Sequence, residues 1–189
     1  MKTLLLNCLL IFFLFVSCKK EENKTTTTFT PNTNIGDSYQ GGKIAYILQA
    51  GDIGYDANVK HGLIAAPSDQ GIAQWGCEGT LISGADGTAI GTGAQNTIDI
   101  MNGCSEAGIA ARLCGDLVLG GYSDWYLPSK DELNKLYINR VAIGGFVNGY
   151  YWSSTESISI FACFQSFDFG NQGTFSRDDF CSVRAVRSF

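Results

Sequence analysis

The sequence has one histidine and three prolines in 189 residues, no Cys-x-x-Cys pair, and fewer cations than anions, 13 Lys plus Arg against 18 Asp plus Glu. Each shortage excludes something. With His61 as the only imidazole, a zinc centre would have to be assembled from scattered thiolates, so no metal site is expected. His61 itself lies in an apolar, strand-like stretch, where a structural role outweighs a catalytic one. The surplus of acid repels a phosphate backbone and leaves no basic stripe, which removes nucleic acid as a partner. Gly91-Thr92-Gly93 lacks the third glycine and the preceding strand of a dinucleotide fingerprint, so no nucleotide cofactor is expected. The longest apolar run, Leu4 to Val16, is interrupted by Asn7 and falls short of the about 20 residues that cross a bilayer.

That run is preceded by Met1-Lys2 and followed by Ser17-Cys18, the order of a secretory signal. Phe15-Val16-Ser17-Cys18 resembles a lipobox, in which a small residue precedes a cysteine that is linked to diacylglycerol before cleavage. The resemblance implies that residues 1–17 are a lipoprotein signal peptide, that Cys18 carries acyl chains, and that these chains make the membrane a partner. Two or three acyl chains hold a protein on a bilayer where one does not, at about 0.8 kcal/mol per buried CH2. Residues 18–34 run through Lys19-Lys20-Glu21-Glu22 and four threonines with almost nothing to bury, so a disordered tether of about 20 to 25 Å mean reach is expected. Lysines followed by acids just after the cysteine also resemble a surface-export signal of some Gram-negative lipoproteins, which implies an outer-membrane anchor, exposed at the cell surface.

Residues 35–189 have a usual length for one domain with a full core. They carry nine Lys plus Arg against sixteen Asp plus Glu, a formal charge of −7. Abundant glycine and aromatics favour a loop-rich domain with short strands. Lys43 to Leu48 and Leu63 to Ala66 read as strands, and the glycine-punctuated stretch from Trp75 to Gly93 as an ordered irregular loop. Thr97 to Met101 and Ala107 to Leu117 read as helices. Ser129-Lys130-Asp131-Glu132 is a capping box opening a helix with Leu133, Leu136 and Tyr137 on one stripe. Tyr150 to Thr155, Ile160 to Phe169 and Cys181 to Phe189 predict a small antiparallel sheet, with Gly170-Asn171-Gln172-Gly173 as a turn. The class is α+β.

Five cysteines lie in this domain, so at least one thiol is free or pairs with another chain. Export would place them where disulfides persist. A hairpin centred on Gln172 sets Cys163 opposite Cys181, within the span of a disulfide. A bulge or second turn at Asp178-Asp179 would slip that register. Cys77, Cys104 and Cys114 then form at most one more bridge. Cys77 with Cys104 is preferred, because Cys114 sits in a helical stretch where a thiol packs as a small apolar group.

Gly121-Tyr122-Ser123-Asp124-Trp125-Tyr126-Leu127-Pro128-Ser129-Lys130-Asp131-Glu132-Leu133, Tyr151-Trp152-Ser153-Ser154-Thr155-Glu156 and Val183-Arg184-Ala185-Val186-Arg187 resemble, in order, the motifs of the Lcl C-terminal domain family, named for a bacterial collagen-like adhesin. The resemblance spans roughly residues 35–189. It implies a C-type-lectin-like fold, two helices flanking a small twisted antiparallel sheet beside a long glycine-rich loop region. The adhesin is associated with sulfated glycans, but the acidic charge here opposes a polyanion. Calcium-dependent lectins of the wider fold use Glu-Pro-Asn, Gln-Pro-Asp and Trp-Asn-Asp motifs, which this chain lacks. Trp125 to Glu132 also resembles a signature of formylglycine-generating enzymes.

Function belongs to sites more than to folds. The leading expectation is a non-catalytic, adhesin-like module that binds a glycan or an envelope protein. Trp75 and Trp152 are the candidate stacking faces, and Glu156 the candidate acceptor for sugar hydroxyls. The alternatives are a structural or assembly lipoprotein of the envelope and, behind it, a formylglycine-generating-enzyme-like catalyst.

Overall fold

A computed structural model describes residues 34–189. Cys18, the signal segment before it and the tether as far as residue 33 lie outside the described residues. Residues 34–189 belong to one compact unit. Its chain order is β1 (Ser38–Tyr39), β2 (Gly42–Ile47), β3 (Gly62–Ala65), β4 (Gly71–Ala73), α1 (Gly93–Gly103), α2 (Ala110–Gly115), α3 (Lys130–Ile138), α4 (Arg140–Ile143), β5 (Tyr150–Ile158), β6 (Phe161–Ser166), β7 (Gln172–Ser176), β8 (Cys181–Val183) and β9 (Val186–Ser188).

The architecture is α+β, with two sheets where one was expected and four helices among the described residues where two were expected to flank it. One sheet runs β1-β2-β3-β9, the other β4-β8-β5-β6-β7. Neighbours are antiparallel except β5 and β8, which meet in parallel at Tyr151 and Ser182. The expected strand from Cys181 to Phe189 is in fact two strands in different sheets. Between them the buried Arg184 donates to the Ala66 carbonyl at 2.9 Å, to Asp69 at 2.6 Å and to the Gly145 carbonyl. The chain changes sheets at a residue whose guanidinium is held by the 66–69 and 144–145 segments together.

All four residues of β3 are buried, as befits a strand flanked by β2 and β9. In β5 the buried run from Tyr151 to Glu156 contains four polar residues. Burial of polar groups is tolerated only with partners. The ladder with β6 shifts register between Trp152 and Glu156, which turns the backbone outward: the Ser154 amide donates to the Pro128 carbonyl at 2.8 Å and the Glu156 amide to that of Ala85 at 2.7 Å. Ser153 Oγ donates to the Cys163 carbonyl, Asn96 to Ser154 Oγ, and Thr155 Oγ1 to the Gly87 carbonyl. The polar stretch therefore ties the 85–88 loop, α1 and the start of α3 to the central strand.

Two apolar clusters fill the unit. One gathers Trp75, Trp125 and Trp152 with Ile100, Ile109 and Val183; the other gathers Leu133 and Leu136 with Tyr126, Tyr151 and Phe167. Each fully buried Leu or Ile contributes about 1.5 to 3 kcal/mol.

The α3 capping box is present, with Ser129 Oγ accepting from the Glu132 amide at 3.3 Å and Glu132 Oε2 from the Ser129 amide at 2.7 Å. Ser129 Oγ also donates to the Ala89 carbonyl at 2.9 Å. Ser129→Ala is therefore expected to destabilise by about 1 to 2 kcal/mol, the upper part of the capping range; a urea midpoint matching the parent's would remove the cap's role.

Glu132 is buried and also accepts from the Gly91 amide at 2.9 Å. Burial pushes its carboxyl above the ordinary value, more than the bonds from Ser129 and Gly91 pull it down. The folded state thus holds this proton more tightly than the unfolded state. The contribution to stability is full below the unfolded carboxyl value of about 4.3 and is lost as pH rises through the folded one. The stability of the parent relative to Glu132→Gln is expected to be greater at about pH 4 than at pH 7, read from paired urea titrations. An unchanging difference would mean that the carboxyl is not shifted.

The β6–β7 register corrects the proposed disulfide. Cys163 lies opposite Thr174, and Phe161 opposite Ser176. The hairpin turns earlier than expected because Ser166 organises it: its Oγ accepts from the Phe169 amide at 3.1 Å, its carbonyl from the Gly170 amide at 3.1 Å, and its own amide donates to the Asn171 carbonyl. Asp178-Asp179 lies in the second turn that its charges implied, with the Asp179 amide donating to the Ser176 carbonyl. Cys181 therefore falls in β8, opposite Ala73 and separated from β6 by β5. Cys163 and Cys181 are free, buried thiols, as is Cys114. Cys77 and Cys104 are bonded to each other, 5.7 Å apart at Cα.

Candidate functional site

Trp75, Gly76 and Cys77 leave β4 through a sharp turn. Gly76 has a φ of +98°, and a Cβ there would stand 2.4 Å from Ile109 Cγ2; only glycine fits. The amides of Trp75 and Gly76 donate to the Arg177 carbonyl, at 3.0 and 3.3 Å, and the Arg177 amide donates to the Ile160 carbonyl at 3.1 Å. Arg177 is thus held from three directions before its side chain is considered.

Its guanidinium is fully buried and lies over the Trp75 indole, 4.2 Å from the ring centre. It pairs with the Glu156 carboxylate and donates to the carbonyls of Ile158 at 3.0 Å and Thr80 at 2.8 Å. Glu156 in turn accepts from the Ile82 amide. Burial lowers the guanidinium to about 10, so it stays charged at neutral pH. One cation therefore fixes the 77–82 loop and the β5–β6 hairpin tip in relation to each other, and the Gly79 amide closes the join on the Ser159 carbonyl at 2.8 Å.

This geometry corrects the three residues proposed as ligand contacts. Trp75 donates its Nε1–H to the Ser153 carbonyl at 2.9 Å, and Trp152 its own to the Ala73 carbonyl at 3.0 Å. Both indoles are buried, so neither face can meet a sugar. Glu156 is buried against Arg177 and the Ile82 amide, and has no hydroxyl-accepting edge turned to solvent. Trp75 and Glu156 do come together, through Arg177, as frame; Trp152 shares the apolar cluster of Trp75 and lies edge-on to Phe175.

What the frame carries outward is apolar. Leu81 is 70% exposed, Ile158 49%, and Ile160 and Phe161 beside it are also exposed; Phe180, on the β7–β8 turn, is 66% exposed. In the sequence Leu81 falls in the glycine-punctuated loop and Ile160 and Phe161 in a stretch read as strand, and neither pattern marks them as exposed. A lone arginine in Ser176-Arg177-Asp178-Asp179 was the one available sign of a buried ion pair.

Carboxylates border the same surface. Glu78 accepts from Ser176 Oγ at 2.8 Å. Glu106 accepts from the Cys77 amide at 3.1 Å, beside the disulfide. The Asp178 carboxyl lies above its ordinary range, first through its hydrogen bond with the Glu78 carboxyl, then through desolvation and the charges of Glu78, Glu106 and Asp179. Cys77, Cys104 and Glu106 place their ligand atoms within 4.8 Å of one another, but the two sulfurs are bonded together.

Two surface grooves lie elsewhere. One, of about 280 Å³, is lined by Arg140, Val141, residues 144–148 and Phe167. The other, of about 220 Å³, is lined by Ile53, His61, Ser188 and Phe189 among others; His61 Nδ1 lies 3.1 Å from the Phe189 carbonyl. No protein-family model matches the chain, and no curated protein matches it.

Proposed function

We propose that the chain is an outer-membrane lipoprotein, anchored by acyl chains on Cys18 and exposed at the cell surface, whose C-type-lectin-like domain is a non-catalytic module that binds a protein. The observation that carries the reading is the group of exposed apolar side chains at Leu81, Ile158, Ile160 and Phe161, seated on the buried Arg177–Glu156 frame. A rigid platform with apolar groups outward is what a binding surface requires, because little order is lost on association. The Cys77–Cys104 bond supports an oxidising compartment. The motifs resembling the Lcl C-terminal domain family support the fold more than the ligand. Trp125, Leu127, Ser129, Glu132, Trp152 and Arg184 are all buried framework.

A protein is favoured over a glycan because the two indoles suited to sugar stacking are internal. A glycan array probed with the full chain carrying Cys18→Ser is expected to stay silent; reproducible hits would overturn the choice of ligand. The anchor has its own test. Cys18→Ala should release an unlipidated chain from the membrane fraction, and retention with acyl label would refute the lipoprotein reading.

A further inference from the structure

The apolar face and its border are one continuous surface. Thr80 and Ile158 are joined through Arg177, Gly79 is bonded to Ser159, Phe161 lies opposite Ser176, and Ser176 Oγ holds Glu78. Asp178 and Asp179 follow Arg177 directly, and Gln74 fixes the Asp178 carbonyl at 2.8 Å. The nearest cations turn inward. Arg177 is occupied by Glu156 and backbone carbonyls, and Arg112 by the carbonyls of Met101, Cys104 and Glu106. Among the described residues, Glu78, Glu106, Asp178 and Asp179 have no cationic side chain within salt-bridge distance, while Arg177, Arg184 and Arg187 each have a carboxylate. The rim is therefore a set of crowded like charges around aliphatic groups, and crowding of this kind is relieved by an incoming cation.

Resting on the reading of this face as the binding surface, we propose that its partner is a cationic amphipathic segment of another protein, with apolar side chains seated on Leu81, Ile158, Ile160 and Phe161 and flanking Lys or Arg meeting Glu78, Glu106, Asp178 and Asp179. Charge complementarity selects this occupant. A polyanion is repelled by the rim, and a neutral partner leaves the carboxylates desolvated without compensation. Electrostatics of this kind set specificity and encounter rate, while the apolar centre supplies the driving force.

The test uses the lipidated protein from membranes, held in zwitterionic nanodiscs, with empty discs subtracted. Three synthetic 18-residue peptides are the probes: leucine with lysine, the same leucines with glutamate, and the same lysines with serine in place of leucine. Fluorescence anisotropy is expected to show binding of the leucine-lysine peptide alone, weakening as salt rises. The double variant Glu78→Gln, Asp178→Asn should weaken it about three- to tenfold, as the loss of two exposed charge contacts would, and Leu81→Ser should weaken it too. Circular dichroism and an intact Cys77–Cys104 bond on peptide mapping confirm that the variants are folded. Equal binding of the lysine and glutamate peptides, both reduced by Leu81→Ser, would overturn the cationic partner while keeping the face. Binding that no variant changes, or no binding at all, would overturn the partner and the face together.

Discussion

Arg177→Met is expected to destabilise the domain by about 3 to 5 kcal/mol, the largest effect of any single polar substitution here. The guanidinium is fully buried, and its removal leaves the Glu156 carboxylate buried with only the Ile82 amide as donor. It also orphans the carbonyls of Thr80 and Ile158, which lose the donors that hold the 77–82 loop to the hairpin tip. The Trp75 indole would lose the cation above its face. The cost is that of an unpaired buried charge rather than the net worth of the pair. Arg177→Met with Glu156→Leu should accordingly be much less damaging than Arg177→Met alone. Urea denaturation of the three proteins decides it, and a double variant as unstable as the single would show that the loop carbonyls, not the charge, dominate.

Loss of the Cys77–Cys104 bond is expected to cost about 3 to 4 kcal/mol, since the bond closes a 27-residue loop. Cys104 is wholly buried and contributes to the tryptophan-rich core, so Cys77→Ala with Cys104→Ala is the cleaner substitution. The parent in reductant should lose stability by the same amount, and the double variant should be insensitive to reductant. Cys114, Cys163 and Cys181 should resist alkylation until the domain unfolds. Burial raises all three thiols, Cys181 to about 12, which leaves little thiolate to react. Alkylation of Cys163 and Cys181 in the unfolded, unreduced protein would agree with the β6–β7 register, whereas a linked Cys163–Cys181 peptide pair would contradict it.

Local signals in the sequence were legible where the chain's own neighbours determine them. Ser129 and Glu132 are three residues apart and cap α3 through each other. The apolar stretches at 43–48 and 63–66 became β2 and β3 to within a residue. The Cys77–Cys104 pairing followed from placing Cys114 in a helix, and Cys114 does lie in α2. Long-range geometry was not legible. The hairpin register depends on a side-chain bond from Ser166 to a backbone amide, and the division of the last strand depends on Arg184 finding carbonyls at Ala66 and Gly145, more than a hundred and about forty residues away. Trp75, Trp152 and Glu156 were misassigned for a related reason. Aromatic and acidic residues in a glycine-rich context suit a glycan site and a buried frame equally, and Arg177, which decides between them, is 21 residues beyond Glu156 in the chain.

A photo-activated cross-linker placed at Leu81 in the protein and irradiated in intact cells tests whether the outward face above Arg177 is the surface the protein uses. Val141, 90% exposed beside Arg140 on α4, is the matched control. A discrete protein adduct is expected from position 81 and none from position 141. Adducts at 141 alone, or at neither position, would contradict it.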